Sequence, residues 1–129
     1  MESEEIKLIL LVALGGATGS VCRYLLQGYL TLGDFPWGTF AVNLIGSFLI
    51  AMLFFFWSQG EGISSMTRAF LFIGVFGGFT TLSSFSLETV NLALGGQWIW
   101  AMGNILLNGG LCVLGAFLGR IVGLLLGGS

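Results

Sequence analysis

Gly74-Val75-Phe76-Gly77-Gly78-Phe79-Thr80-Thr81-Leu82-Ser83-Ser84-Phe85-Ser86-Leu87-Glu88 lies inside the third of four apolar segments and departs from the pattern of a plain membrane helix. A continuous helix from Met66 to Leu94 would be about 43 Å long. A hydrocarbon core of about 30 Å needs only roughly 20 residues. Gly77-Gly78 is the weakest helical point, because glycine loses the most backbone entropy on folding. Thr80, Thr81, Ser83, Ser84 and Ser86 then crowd hydroxyls into a short run. Irregular backbone at membrane depth survives only where protein buries it or where it lines a cavity. The pattern predicts a third helix broken at Gly77-Gly78 that lines an ion or substrate site. The competing reading is a kinked, unbroken helix packed through its small residues.

Composition sets the class. Of 129 residues 56% are hydrophobic and 8% charged, which indicates an all-α, polytopic membrane protein with a single four-helix domain over residues 1–129. A net charge of −2 leaves no basic surface for nucleic acid, and without histidine there is no imidazole for proton relay or metal ligation. Cys22 and Cys112 both fall in apolar spans, where they read as small packing residues rather than a disulfide framework. The acidic start, Met1-Glu2-Ser3-Glu4-Glu5, is a poor signal-peptide opening, so the first span is expected to remain in the membrane.

The first span runs from about Ile6 to about Leu30, with Gly15, Gly19 and Arg23 on one helical face. The glycines let a neighbouring helix approach closely. An arginine at the bilayer centre costs at least about 2.5–3.5 kcal/mol, so Arg23 marks a function or snorkels to the interface. The second span, Thr39 to Trp57, carries Thr39, Asn43 and Ser47 at successive turns, a stripe that favours a lined path over lone helix–helix bonding. The fourth span opens on Trp98 and Trp100, interfacial anchors, and carries Asn104, Asn108 and Cys112 at the same period, then Gly115, Gly119 and Arg120. Four helices with this many polar or small stripes cannot bury them all alone, which predicts a homo-oligomer. Catalytic readings lack their parts, since the spans hold no paired carboxylates and no Cys/His pair, and no phosphate-loop motif occurs.

Three motifs in register carry a resemblance: Gly15-Gly16-Ala17-Thr18-Gly19 through Arg23-Tyr24, Gly38-Thr39 through Asn43 to Gly46-Ser47, and Gly77-Gly78-Phe79-Thr80-Thr81 through Glu88. Together they resemble the Fluc (CrcB) fluoride channels over the first three spans. The fourth span matches in length and small-residue content only. The resemblance implies an antiparallel, dual-topology homodimer in the plasma (inner) membrane, with two fluoride pores along the subunit interface. It implies a structural Na⁺ at the dimer centre, held by backbone carbonyls of Gly77 and Thr80 from both subunits. The family's pore residues carry over onto Asn43, Thr80, Ser83, Ser84 and Phe85, with Arg23 near a vestibule and Glu88 near a pore end. Asn108 and Cys112 take the place of a polar track, and Asn104 stands where some relatives carry an aromatic residue. The implied role is passive release of cytoplasmic fluoride.

Fluoride is small and strongly hydrated, so a pore must replace water with donors, which these hydroxyls and the Asn43 amide supply. An electropositive ring edge at Phe85 suits an anion. Two departures stand out. The usual pair of phenylalanines is here Leu82 and Phe85. With the N-terminus inside, Lys7, Arg68 and Arg120 would be cytoplasmic against Arg23 outside, a mild positive-inside bias where dual topology prefers none. Both also suit a heterodimer subunit. The alternative from another class is a proton-coupled small multidrug transporter, for which Glu88 is the one available exchange carboxylate.

Overall fold

A computed structural model describes residues 2–128, which are helical apart from three turns and one short interruption. The first helix, Ser3–Tyr29, is capped by Glu2, whose side chain and backbone exchange hydrogen bonds with Glu5. The second is Trp37–Trp57, and the third and fourth spans are Ser65–Leu94 and Trp98–Gly127. Among the described residues these four are long and apolar enough to cross a membrane. The loop after the first helix buries Phe35, whose ring lies 4.5 Å from Trp37 and 5.6 Å from Trp100. Gly96, at φ +79°, reverses the chain so that the third and fourth spans run side by side.

The bundle is assembled from two glycine-mediated pairings. The first helix packs on the first half of the third span, where Gly15 and Gly74 meet backbone to backbone, and a Cβ on Gly19 would fall on the Val75 carbonyl. The second helix packs on the latter part of the fourth span, with Gly119 against Phe48 and Gly123 against Met52. Close approach of this kind drives association where lipid is as apolar as leucine. Large apolar side chains including Leu14, Tyr29, Leu94 and Ile99 remain on the outside, where acyl chains can cover them.

The third span is not interrupted at Gly77-Gly78. Both glycines are helical, inside Phe76–Phe79. The extended residues are Thr80 (φ −84°, ψ 157°) and Thr81 (φ −149°, ψ 113°), and helix resumes at Leu82. Gly78 serves contact rather than flexibility, because a Cβ there would press 2.5 Å from the Gly16 carbonyl. Threonine tolerates extended backbone well, and the Thr81 hydroxyl accepts from the Ser84 N–H to start the next helical segment. The third and fourth spans also widen to π-helix over Arg68–Val75 and Leu107–Leu111, and the second of these segments contains Asn108.

Candidate functional site

The two extended threonines open onto a groove of about 390 Å³ lined by Asn43, Ser47, Thr80, Thr81, Leu82, Phe85, Asn108 and Cys112, with Phe76 and Gly77 among its apolar walls. Six of the residues singled out from the sequence, Asn43, Ser47, Thr80, Thr81, Asn108 and Cys112, therefore meet in one place, although they come from three different spans. Asn43 organises them. Its Oδ1 accepts from the Thr81 N–H at 2.8 Å, and its Nδ2 donates to the Thr81 carbonyl at 3.1 Å and to Asn108 Oδ1 at 2.8 Å. Asn108 Nδ2 in turn donates to Asn104 Oδ1 at 2.9 Å and to the Asn104 carbonyl at 3.1 Å. Asn104 is 0% exposed and donates to Thr89 Oγ1 at 2.9 Å.

A second hollow of about 390 Å³ lies at one end of the bundle, lined by Gln27, Asp34, Thr39, Ser84 and Glu88 among others. Gln27 Nε2 donates to Thr39 Oγ1 at 2.9 Å, and the Thr39 hydroxyl donates to Glu88 Oε1 at 2.7 Å. Glu88 Oε2 is buried without a partner among the described residues. Burying a carboxylate oxygen with no donor is costly, which sets this atom apart from the other polar atoms of the hollow.

Of the third span's hydroxyls, Thr80 and Thr81 line the groove and Ser84 the end hollow, while Ser83 and Ser86 line neither. Thr80 donates back to the Phe76 carbonyl at 2.9 Å, and Ser86 likewise to Leu82. The Thr81 hydroxyl donates to Ser84 Oγ at 3.1 Å and lies 3.3 Å from Ser83 Oγ. Ser84 Oγ donates no hydrogen bond among the described residues, and Ser84 is part of the end hollow's lining. Leu82 sits at the groove and is 75% exposed. Arg23 is half-buried, lines neither hollow and makes no ion pair among the described residues.

Two contributors were missed in the sequence, Gln27 and Thr89. Gln27 carries no periodic signal. Thr81 was legible as one of the crowded hydroxyls, but its part is played through its backbone, which composition does not reveal. Thr89 did carry a signal, since Thr81, Phe85 and Thr89 recur at successive turns.

A family profile described as CrcB-like protein, Camphor Resistance (CrcB), matches residues 10–120. The chain belongs to the CrcB family. Several CrcB relatives are close. A protein of Magnetococcus marinus named fluoride-specific ion channel FluC is 48% identical over 118 residues, covering 89% of this chain and 96% of the relative. Proteins of the same name from Opitutus terrae and Coxiella burnetii are 45% and 44% identical, covering 90% and 89% of this chain and 92% and 96% of theirs. The CrcB match runs from the first helix to Arg120, so it contains both hollows and every polar residue that lines them.

Proposed function

We propose that this chain is a passive, fluoride-selective channel that releases cytoplasmic fluoride across the plasma membrane. The observation that carries the reading is the helix interruption at Thr80-Thr81, held by Asn43 and opening onto a groove lined by amides, a phenylalanine and hydroxyl-bearing residues. The names of the relatives support the same substrate. An anion stripped of water gains the Ser84 hydroxyl as a donor and an electropositive ring edge from Phe85, and reaches the Asn43 amide by displacing the Asn108 oxygen that now accepts from it. Arg23 contributes positive potential, and Thr39 and Glu88 mark one end of the path. Ser83, Thr80, Asn104 and Cys112 complete the lining or its support.

The functional unit in this reading is an antiparallel dimer with two pores, a homodimer or a pair with a related subunit. Gly77 and Leu82 are exposed beside the groove, where a second copy would close it. The Na⁺ expected at the dimer centre fits the residues present. The N–H that a continuous helix would aim at the Gly77 carbonyl, that of Thr81, goes to Asn43 instead. The N–H corresponding to the Thr80 carbonyl, that of Ser84, goes to Thr81 Oγ1. Both carbonyls thus lose their helical donors, and freed carbonyls at a helix interruption suit a hard monovalent cation. Bound there, the cation would supply fixed positive charge and tie the two interruptions together.

Purified protein reconstituted in liposomes should release fluoride down its gradient, read with a fluoride electrode, while retaining chloride. Liposomes that hold fluoride at the rate of protein-free controls would overturn the proposal. Only monomers in detergent mass measurements, or parallel copies in the assembly, would overturn the dimer arrangement.

A further inference from the structure

The polar contacts of the groove form one head-to-tail series. The Thr81 N–H donates to Asn43 Oδ1, Asn43 Nδ2 to Asn108 Oδ1, Asn108 Nδ2 to Asn104 Oδ1, Asn104 Nδ2 to Thr89 Oγ1, and the Thr89 hydroxyl to the Phe85 carbonyl. Every step is between 2.7 and 2.9 Å. The series leaves the third span at its interruption, crosses the second and fourth, and returns at Thr89, about two turns further along, to end on the Phe85 carbonyl.

Its direction is set at the start. The Thr81 backbone offers one donor and one acceptor, so the Asn43 amide fits in one orientation only. Asn108 must then present its oxygen to Asn43, which turns its nitrogen toward Asn104. As a result neither hydrogen of the Asn43 amide is spare, since they serve the Thr81 carbonyl and Asn108 Oδ1. Those of Asn108 serve the side-chain and backbone oxygens of Asn104. Aligned amides in a low-dielectric setting also polarise one another, which strengthens each link.

We propose that Asn104 is a positioning residue that sets anion selectivity through Asn108. Fully buried and absent from the groove wall, it holds the Asn108 amide so that the Asn108 oxygen stays on Asn43. An anion obtains an Asn43 hydrogen only by displacing that amide oxygen. Fluoride, a small and strong acceptor, competes with an amide carbonyl. Chloride, larger and weaker, does not. Selectivity then comes from what must be displaced as well as from what is gained. This inference rests on the fluoride-channel reading.

The test measures fluoride and chloride efflux from the same liposomes for the parent and for Asn104→Leu, which removes both polar atoms at similar volume. Release of Asn108 should raise chloride efflux relative to fluoride about tenfold, the equivalent of one net hydrogen bond. Thr89→Val, which strips the acceptor of Asn104 while keeping its shape, should move the ratio the same way. In the parent, the Asn43 side-chain amide should exchange its hydrogens slowly by nuclear magnetic resonance, and faster in either variant. A ratio within twofold of the parent in the folded variants overturns the proposal, as does a proportionate fall in both fluxes. Should neither variant fold, free exchange of the Asn43 amide in the parent overturns it. A parent that releases no fluoride overturns the channel reading instead.

Discussion

The side-chain amide of Asn43 grips both backbone polar groups of Thr81, accepting from its N–H at 2.8 Å and donating to its carbonyl at 3.1 Å. It does for an interrupted helix what a neighbouring strand does in a sheet. At membrane depth water is not available to satisfy those groups, so the interruption depends on this side chain.

Asn43→Asp should therefore abolish anion flux and weaken the fold together. The carboxylate can still accept from the Thr81 N–H, but it sets fixed negative charge against the Thr81 carbonyl and the Asn108 oxygen. Leaving such groups unpaired costs about 1–3 kcal/mol. Fluoride efflux equal to the parent's in folded protein would remove Asn43 from the path.

Gly19→Ala should destabilise the bundle by about 1–3 kcal/mol, because its Cβ would meet the Val75 backbone, which cannot step aside. Gly16→Ala, on the same helix, meets nothing within 4 Å and serves as the control. Thermal unfolding in detergent compares the two, and equal melting temperatures would contradict this packing.

Leu82→Phe should raise fluoride flux several-fold without admitting chloride. Leu82 and Phe85 line the same groove, and a second ring edge adds about 1 kcal/mol of anion stabilisation, where about 1.4 kcal/mol is tenfold in rate. Flux unchanged by the substitution would show that this side chain faces lipid or the subunit core in the assembly.

Glu88→Gln separates a channel from a proton-coupled transporter. The substituted amide keeps an oxygen for the Thr39 hydroxyl but cannot carry a proton in exchange. A channel should keep passing fluoride with no response to an imposed pH gradient, both before and after the change. Loss of a pH-driven uptake on substitution would instead establish coupled transport.

Sequence alone determined the four spans, because about 20 apolar residues have one low-energy place to go, and it determined which faces are polar, because helical period is local. The stripe of Thr39, Asn43 and Ser47 and that of Asn104, Asn108 and Cys112 were legible for that reason. Where the third span is interrupted was decided only in three dimensions. Glycine's weak propensity pointed to Gly77-Gly78, yet the first helix packs against Gly78 and needs it helical, while Asn43, 38 residues from Thr81, supplies the donor and acceptor that make an extended Thr81 tolerable. The same holds for the amide series, whose link from Asn43 to Asn108 spans 65 residues. Helical propensity acts over a turn, but an unpaired backbone group in a membrane costs more than a propensity difference, so its partner in another helix decides the outcome.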